Sequence, residues 1–275
     1  MVASASLDIV IIGLTITSSW GNGHAVTYRA LVPALARRGH RICFLERDMP
    51  WYAQNRDVTS STSCQIHLYT STAELKERFA ARIRSADVVI VGSYVPDGIE
   101  IGNWVTHTAT GLTAFYDIDT PVTIAALSRG RCEYLCTELM SRYNLYLSFT
   151  GGPFLARIKQ EFGIPEVMAL YCSADPDLYQ PSEADRQYDL GYMGTYSPDR
   201  QPSLERLMIQ AARHWPIHCG RAAVPGSDPV ACQHPPHRAP GSRTSPRILH
   251  VSKLYPQPDP QRHDPNRFFT QCPAF

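Results

Sequence analysis

Residues 8–46, DIVIIGLTITSSWGNGHAVTYRALVPALARRGHRICFLE, decide the fold. They open on a continuous apolar run, DIVIIGL at 8–14, which suits a strand buried on both faces of a parallel sheet. A polar, glycine-bearing turn follows, TSSWGNG, and then a stretch with helical spacing from Ala25 to Arg38. Gly39 supplies the stop, and RICFLE (Arg41 to Glu46) is the next apolar run. Strand, turn, helix and strand in this order make a crossover unit, which parallel strands require.

The rhythm continues outward. Ala73 to Arg84 predicts a charged amphipathic helix and Ala86 to Val91 a buried strand. Leu112 to Tyr116 predicts a strand before a polar turn, and Leu145 to Phe149 leads through GGP into a helix over Phe154 to Phe162. Alternating strands and helices predict a doubly wound, Rossmann-like α/β domain over 1–170. Ligands of such sheets sit beyond the carboxyl ends of the strands. Four turns therefore share one rim: Ser18–His24, Ser93–Gly98, Asp117–Thr120 and Thr150–Pro153. Residues 171–187 read as a linker, and 188–216 restart the pattern with a strand to Met193 and a helix from Pro202 to Arg213.

Composition is that of an ordinary soluble chain of 275 residues, 44% hydrophobic and 19% charged, with a formal net charge of +1. That balance argues against a nucleic-acid binder, which carries a strongly basic face. No basic residue precedes the first apolar run and Asp8 opens it, so neither a leader nor a membrane span is expected, and the reading is cytoplasmic. The eight cysteines are scattered, with Cys132 and Cys136 the closest pair, and no metal cluster is expected.

The average conceals a split near Pro216. Residues 217–275 hold 11 of the 22 prolines and 5 of the 10 histidines, and no glutamate. They carry 7 Lys+Arg against 3 Asp, which leaves 19 basic against 22 acidic residues in the body.

The chain resembles the GT-B glycosyltransferases, specifically the CgeB-like (spore-maturation type) group. The resemblance rests on residues 8–40, on FYDIDTPVT (115–123) and YLSFTGGP (146–153), and on YCSADPDLY (171–179) followed by DLGYMGTYSPDRQPSLERL (189–207). It implies two Rossmann-like domains, an N-terminal one for an acceptor and a C-terminal one for a nucleotide-sugar donor, with no metal or other cofactor. Sugar transfer needs a base at the acceptor hydroxyl and positive or dipolar groups on the leaving diphosphate. By resemblance His24 is the candidate base, with Asp117 or Asp119 orienting it. Gly21, Asn22, Gly23, Tyr94, Asp97, Gly151 and Gly152 are the candidate acceptor and cleft residues. Gly194, Thr195 and Arg200 are the candidate donor contacts. The same residues also suit plain roles: His24 or Asp119 capping a helix, and the glycines serving turn geometry.

The family's second domain should continue beyond 216, where this chain instead turns to HPPHRAPGSRTSP (234–246). A shifted reading frame beginning near 216–222 accounts for this. Codons for residues 247–264 can be chosen so that the next frame reads AFYTSQNFTLNLTRNDM, a string similar to the family's second domain. A genuine disordered, proline-rich tail is the alternative. Two rival functions stand beside the transferase: a non-catalytic nucleotide- or carbohydrate-binding module, and a dehydrogenase using Glu46 as ribose-binding acid. The first turn lacks the G-x-G-x-x-G spacing that a dehydrogenase would bring.

Overall fold

A computed structural model describes residues 5–20, 23–180, 190–194, 201–209 and 217–221. The chain divides into two compact units, Met1–Ser19 with His24–Ser173, and Trp20–Gly23 with Ala174–Phe275.

The first unit is built on a seven-stranded sheet in which every pairing is parallel. Its strands are β1 (Asp8–Gly13), β2 (Arg41–Arg47), β3 (Gln65–Tyr69), β4 (Val88–Gly92), β5 (Leu112–Asp117), β6 (Leu145–Ser148) and β7 (Glu166–Ala169), in the spatial order 3-2-1-4-5-6-7. The connections carry α1 (His24–Arg37), α2 (Pro50–Ala53), α3 (Thr72–Ser85), α4 (Gly98–Thr108), α5 (Thr120–Leu127), α6 (Thr137–Met140) and α7 (Pro153–Phe162). The order reverses direction between β1 and β4, the place where ligands of doubly wound sheets bind.

Alternation along the strands explains the two cores. Val10, Ile12, Val89 and Val91 face one side with Leu75, Phe79 and Ile83 of α3 and Ile101 and Val105 of α4. Ile9, Ile11, Phe44, Ile90 and Tyr116 face the other, against Tyr28 and Val32 of α1. The central strands are buried on both faces, which is why their sequences read as unbroken apolar runs. Burying each such side chain contributes about 1.5–3 kcal/mol. Helix α3 starts at a Ser71 cap: the Ser71 hydroxyl accepts from Glu74 N at 3.2 Å, and the Glu74 carboxylate accepts from Thr70 N at 2.7 Å.

The second unit contains β8 (Leu190–Gly194), α8 (Gln201–Leu204) running into a π-helical segment (Glu205–Ile209), and β9 (Ile217–Arg221). Strands β8 and β9 pair in parallel, from Leu190 opposite Ile217 to Gly194 opposite Arg221. This strand–helix–strand unit runs five residues into the segment read as tail.

Helix α1 meets the sheet through two strand-end glycines. A side chain at Gly13 would collide with Phe44, and one at Gly92 would collide with the Tyr28 hydroxyl. That hydroxyl is buried and has no hydrogen-bond partner. Gly92→Ala should therefore lower stability by about 1–3 kcal/mol in denaturant unfolding. Tyr28→Phe alone should be neutral or stabilising, because it removes an unsatisfied buried group. In the Tyr28→Phe background Gly92→Ala should lose most of its cost, since the next Tyr28 atom lies 3.5 Å from the added carbon. Equal costs in the two backgrounds would contradict this packing account.

Candidate functional site

The loop leaving β1 is held from below by a buried carboxylate. Glu46, at the end of β2, is fully buried, and four hydrogen bonds reach it from the loop. Thr15 Oγ1 (3.0 Å) and Thr17 Oγ1 (2.5 Å) donate to Oε1, while the backbone N–H groups of Ile16 (2.7 Å) and Thr17 (3.0 Å) donate to Oε2. A carboxylate has about four acceptor positions, and all are taken. Glu46 is therefore a loop anchor, and the dehydrogenase reading loses the acid it required. A second clamp joins the loop to the β2–β3 connection. Arg29 Nε donates to Ile16 O at 2.8 Å while its terminal nitrogens pair with Asp57. Asp57 N and Val58 N both donate to Thr17 O at 3.1 Å.

This scaffold delivers His24 at the first position of α1. The imidazole is 6% exposed, and its Nδ1 has no hydrogen-bond partner. Burial lowers its pKa to about 4, so the ring is neutral at physiological pH. Tyr94 packs on it edge-to-face, with centroids 5.4 Å apart and planes at 88°. Tyr94 also donates its hydroxyl to Asp119 Oδ2 at 3.1 Å, and its ring centroid lies 4.6 Å from that of Tyr134. Burial raises its own pKa and keeps it a donor.

No hydrogen bond among the described residues joins His24 to Asp117 or Asp119. Asp117 is turned into the interior and its carboxylate is engaged there. Tyr146 donates to Oδ2, while Thr123 Oγ1 (2.8 Å) and Asp119 N (3.0 Å) donate to Oδ1. Burial raises its pKa to about 6, against those hydrogen bonds, which act to lower it. Asp119 precedes α5 at the cap position, although its side chain makes no capping bond.

Asp97 belongs to a structural clamp. Its carboxylate pairs with Arg47 and accepts from Thr72 Oγ1 at 3.1 Å, and the Arg47 hydrogen bond holds its pKa below the ordinary range. Gly152 has φ +78°, a left-handed conformation that calls for glycine, and a side chain at Gly151 would strike the Tyr171 hydroxyl. Gly23 immediately precedes α1, and Gly194 ends β8. Gly21, Asn22, Thr195 and Arg200 lie outside the described residues. Sequence reasoning did not find the Glu46 anchor, the Arg29–Asp57 clamp, or the places of Tyr134 and Tyr146 around Asp117. The T-I-T pattern at 15–17 opposite a strand-end glutamate was the available signal for the first.

Among the described residues no helix is long and apolar enough to cross a membrane, and no group of His, Cys, Asp and Glu is arranged to hold a metal ion. Cys43, Cys64, Cys132 and Cys136 are free thiols.

No family profile and no curated protein sequence matches the chain. Solved structures do. An alpha-glucosyltransferase in complex with UDP aligns with TM-score 0.52 and 13% identity, covering 80% of this chain and 60% of that one. Sucrose-phosphate synthase from Thermosynechococcus elongatus aligns with TM-score 0.51 and 12% identity, covering 78% and 62%. The chain has the α/β fold of GT-B glycosyltransferases. An alpha-glucosyltransferase bound to UDP-glucose and DNA containing an abasic site gives TM-score 0.50 at 13% identity, covering 81% and 59%. The chain thus spans about three fifths of the length of the structures it resembles.

Two buried titratable groups of this site, Asp117 and His24, pull stability in opposite directions with pH. Asp117 has a folded pKa of about 6 against an ordinary 3.8, so its contribution is present below pH 4 and lost as pH rises through 6. His24 has a folded pKa of about 4 against 6.5, so its contribution is present above pH 6.5 and lost as pH falls through 4. Each amounts to about 3 kcal/mol over its window, and between pH 4 and 6 the slopes oppose each other. Asp117→Asn should expose the His24 slope and lose stability, relative to wild type, on acidification from pH 6.5 to 4. His24→Gln should do the reverse. Denaturant unfolding across this range checks both signs, and parallel curves for the two variants would refute the assignment.

Proposed function

We propose that the chain is a glycosyltransferase-like protein of the CgeB-like type, built to transfer a sugar from a nucleotide-sugar donor to a hydroxylated acceptor. The observation that carries this reading is His24, a buried, neutral imidazole with an unpaired nitrogen, placed where the strand order of a GT-B-type sheet reverses. A neutral imidazole can accept the proton that an acceptor hydroxyl gives up on attacking the sugar carbon. In this reading Gly21, Asn22 and Gly23 lie on the acceptor side, and Gly194, Thr195 and Arg200 meet the donor diphosphate. Asp117 supports the strand end from beneath.

A second reading is a non-catalytic binder of nucleotides or carbohydrates. We further propose that a shift of reading frame near residues 216–222 replaced the donor-binding part of the second unit. The composition of 217–275 supports this: prolines and histidines are abundant and glutamate is missing.

The purified chain should therefore turn over UDP-glucose no faster than its His24→Ala variant, with UDP release as the readout. Robust transfer of any sugar to any acceptor would overturn the inactive reading. A rise in melting temperature with UDP or a simple sugar, in the absence of turnover, would favour the binder. The gene's DNA across codons 210–275 tests the frame shift separately. The neighbouring frame should continue as an open α/β-like sequence, and stop codons there would sink the idea.

A further inference from the structure

The geometry points to Tyr94 as the positioning residue for His24, with Asp119 acting on the imidazole through Tyr94. This rests on the reading of His24 as the acceptor-side group, and it replaces a direct His–Asp pair with an arrangement in which an aromatic ring intervenes.

Tyr94 has φ +62°, an uncommon conformation for a bulky residue, so the surrounding structure must hold it there. Three contacts do so. Its hydroxyl donates to Asp119 Oδ2 at 3.1 Å, its ring centroid lies 4.6 Å from that of Tyr134, and its ring meets His24 at 88°. Tyr134 is fixed in turn by a 2.8 Å hydrogen bond with Thr123 Oγ1, which also donates to Asp117. The ring of Tyr94 is therefore located from two sides of the β5–α5 corner. Among the described residues no hydrogen bond tethers the His24 ring in a comparable way. Its Nδ1 is unpartnered, and Tyr94 is the one aromatic ring found against it among the described residues. A buried imidazole whose Nδ1 makes no hydrogen bond takes much of its orientation from packing, and the edge-to-face contact supplies a defined plane.

The charged and titratable groups gathered around this contact are Tyr94 beyond β4, Asp119 and Asp117 at the end of β5, Tyr134 before α6, and Tyr146 on β6. Asp119 reaches His24 through the Tyr94 hydroxyl. Loosening that hydrogen bond should let the ring swing and admit water to the imidazole, raising its proton affinity.

The test is a two-by-two set in the full chain: wild type, Tyr94→Phe, Asp119→Asn and the double variant. The His24 titration is followed by NMR of its ring nitrogens and carbon-bound protons. Tyr94→Phe keeps the ring and removes only the hydroxyl, so the fold should survive, and melting curves verify this. Each single variant should move the His24 midpoint upward by about one unit, a tenfold gain in proton affinity. The double variant should move it no further than either alone. A direct charge effect of Asp119 would instead move the midpoint downward, and would do so equally with and without the Tyr94→Phe substitution. That outcome, additive shifts, or an unmoved midpoint in folded single variants would overturn the proposal. None of these readouts depends on whether a nucleotide or sugar binds, so failure here is distinct from failure of the transferase reading.

Discussion

The mouth of the sheet depends on one buried carboxylate. Placing Glu46 without exposure at the end of β2 costs several kcal/mol unless its oxygens are satisfied. They are satisfied by the loop that follows β1, through two hydroxyls and two backbone N–H groups. The constraint works both ways. The carboxylate is tolerable only if residues 15–17 wrap around it, and it fixes their path together with the Arg29, Asp57 and Val58 contacts to the same residues. Arg29 adds a tie from inside α1 to the same loop, so loop and helix are fixed as one piece. The placement of His24 at the start of that helix follows.

A second constraint acts on the sheet face. Gly13 and Gly92 sit side by side at the ends of β1 and β4, and both are kept free of side chains by rings that lie over them. Tyr28 meets Phe44 edge-to-face at 5.0 Å and Tyr116 at 6.2 Å. Its hydroxyl has no partner, so what this ring contributes is bulk and shape. The close seating of α1 and the location of His24 one turn before Tyr28 are thus consequences of the same packing.

The legibility of the sequence followed the degree of burial. β1, β2, β4 and β5 were readable because central parallel strands bury both faces and so appear as unbroken apolar runs. β3 and β7 were not, because edge strands leave QIHLY and EVMA partly exposed and chemically mixed. α4 was missed for another reason. GIEIGNWVTHT carries two glycines and several β-branched residues, poor helix formers on their own. Gly98 and Gly102 are there because Tyr134, Leu139 and Tyr143 approach too closely for a side chain, a tertiary fact that no local pattern displays. The rim itself was predictable from topology. The orientation of its residues was not: Asp117 and Asp119 differ by two positions, yet one is consumed by Tyr146 and Thr123 and the other meets Tyr94. The anchoring role of Glu46 was hidden because half of its partners are backbone N–H groups, which every sequence offers everywhere.

The fold of the first unit is shared with proteins of many activities, so function has to be argued from the side chains at its mouth. There the absence of a direct His24–aspartate hydrogen bond among the described residues matters more than the likeness of fold. A histidine paired with a carboxylate is held ready to accept a proton, whereas an unpaired, buried histidine is held neutral by its surroundings. For such a group to accept a proton, its environment must change when ligand arrives, either by bringing an anionic partner or by moving the aromatic wall beside it.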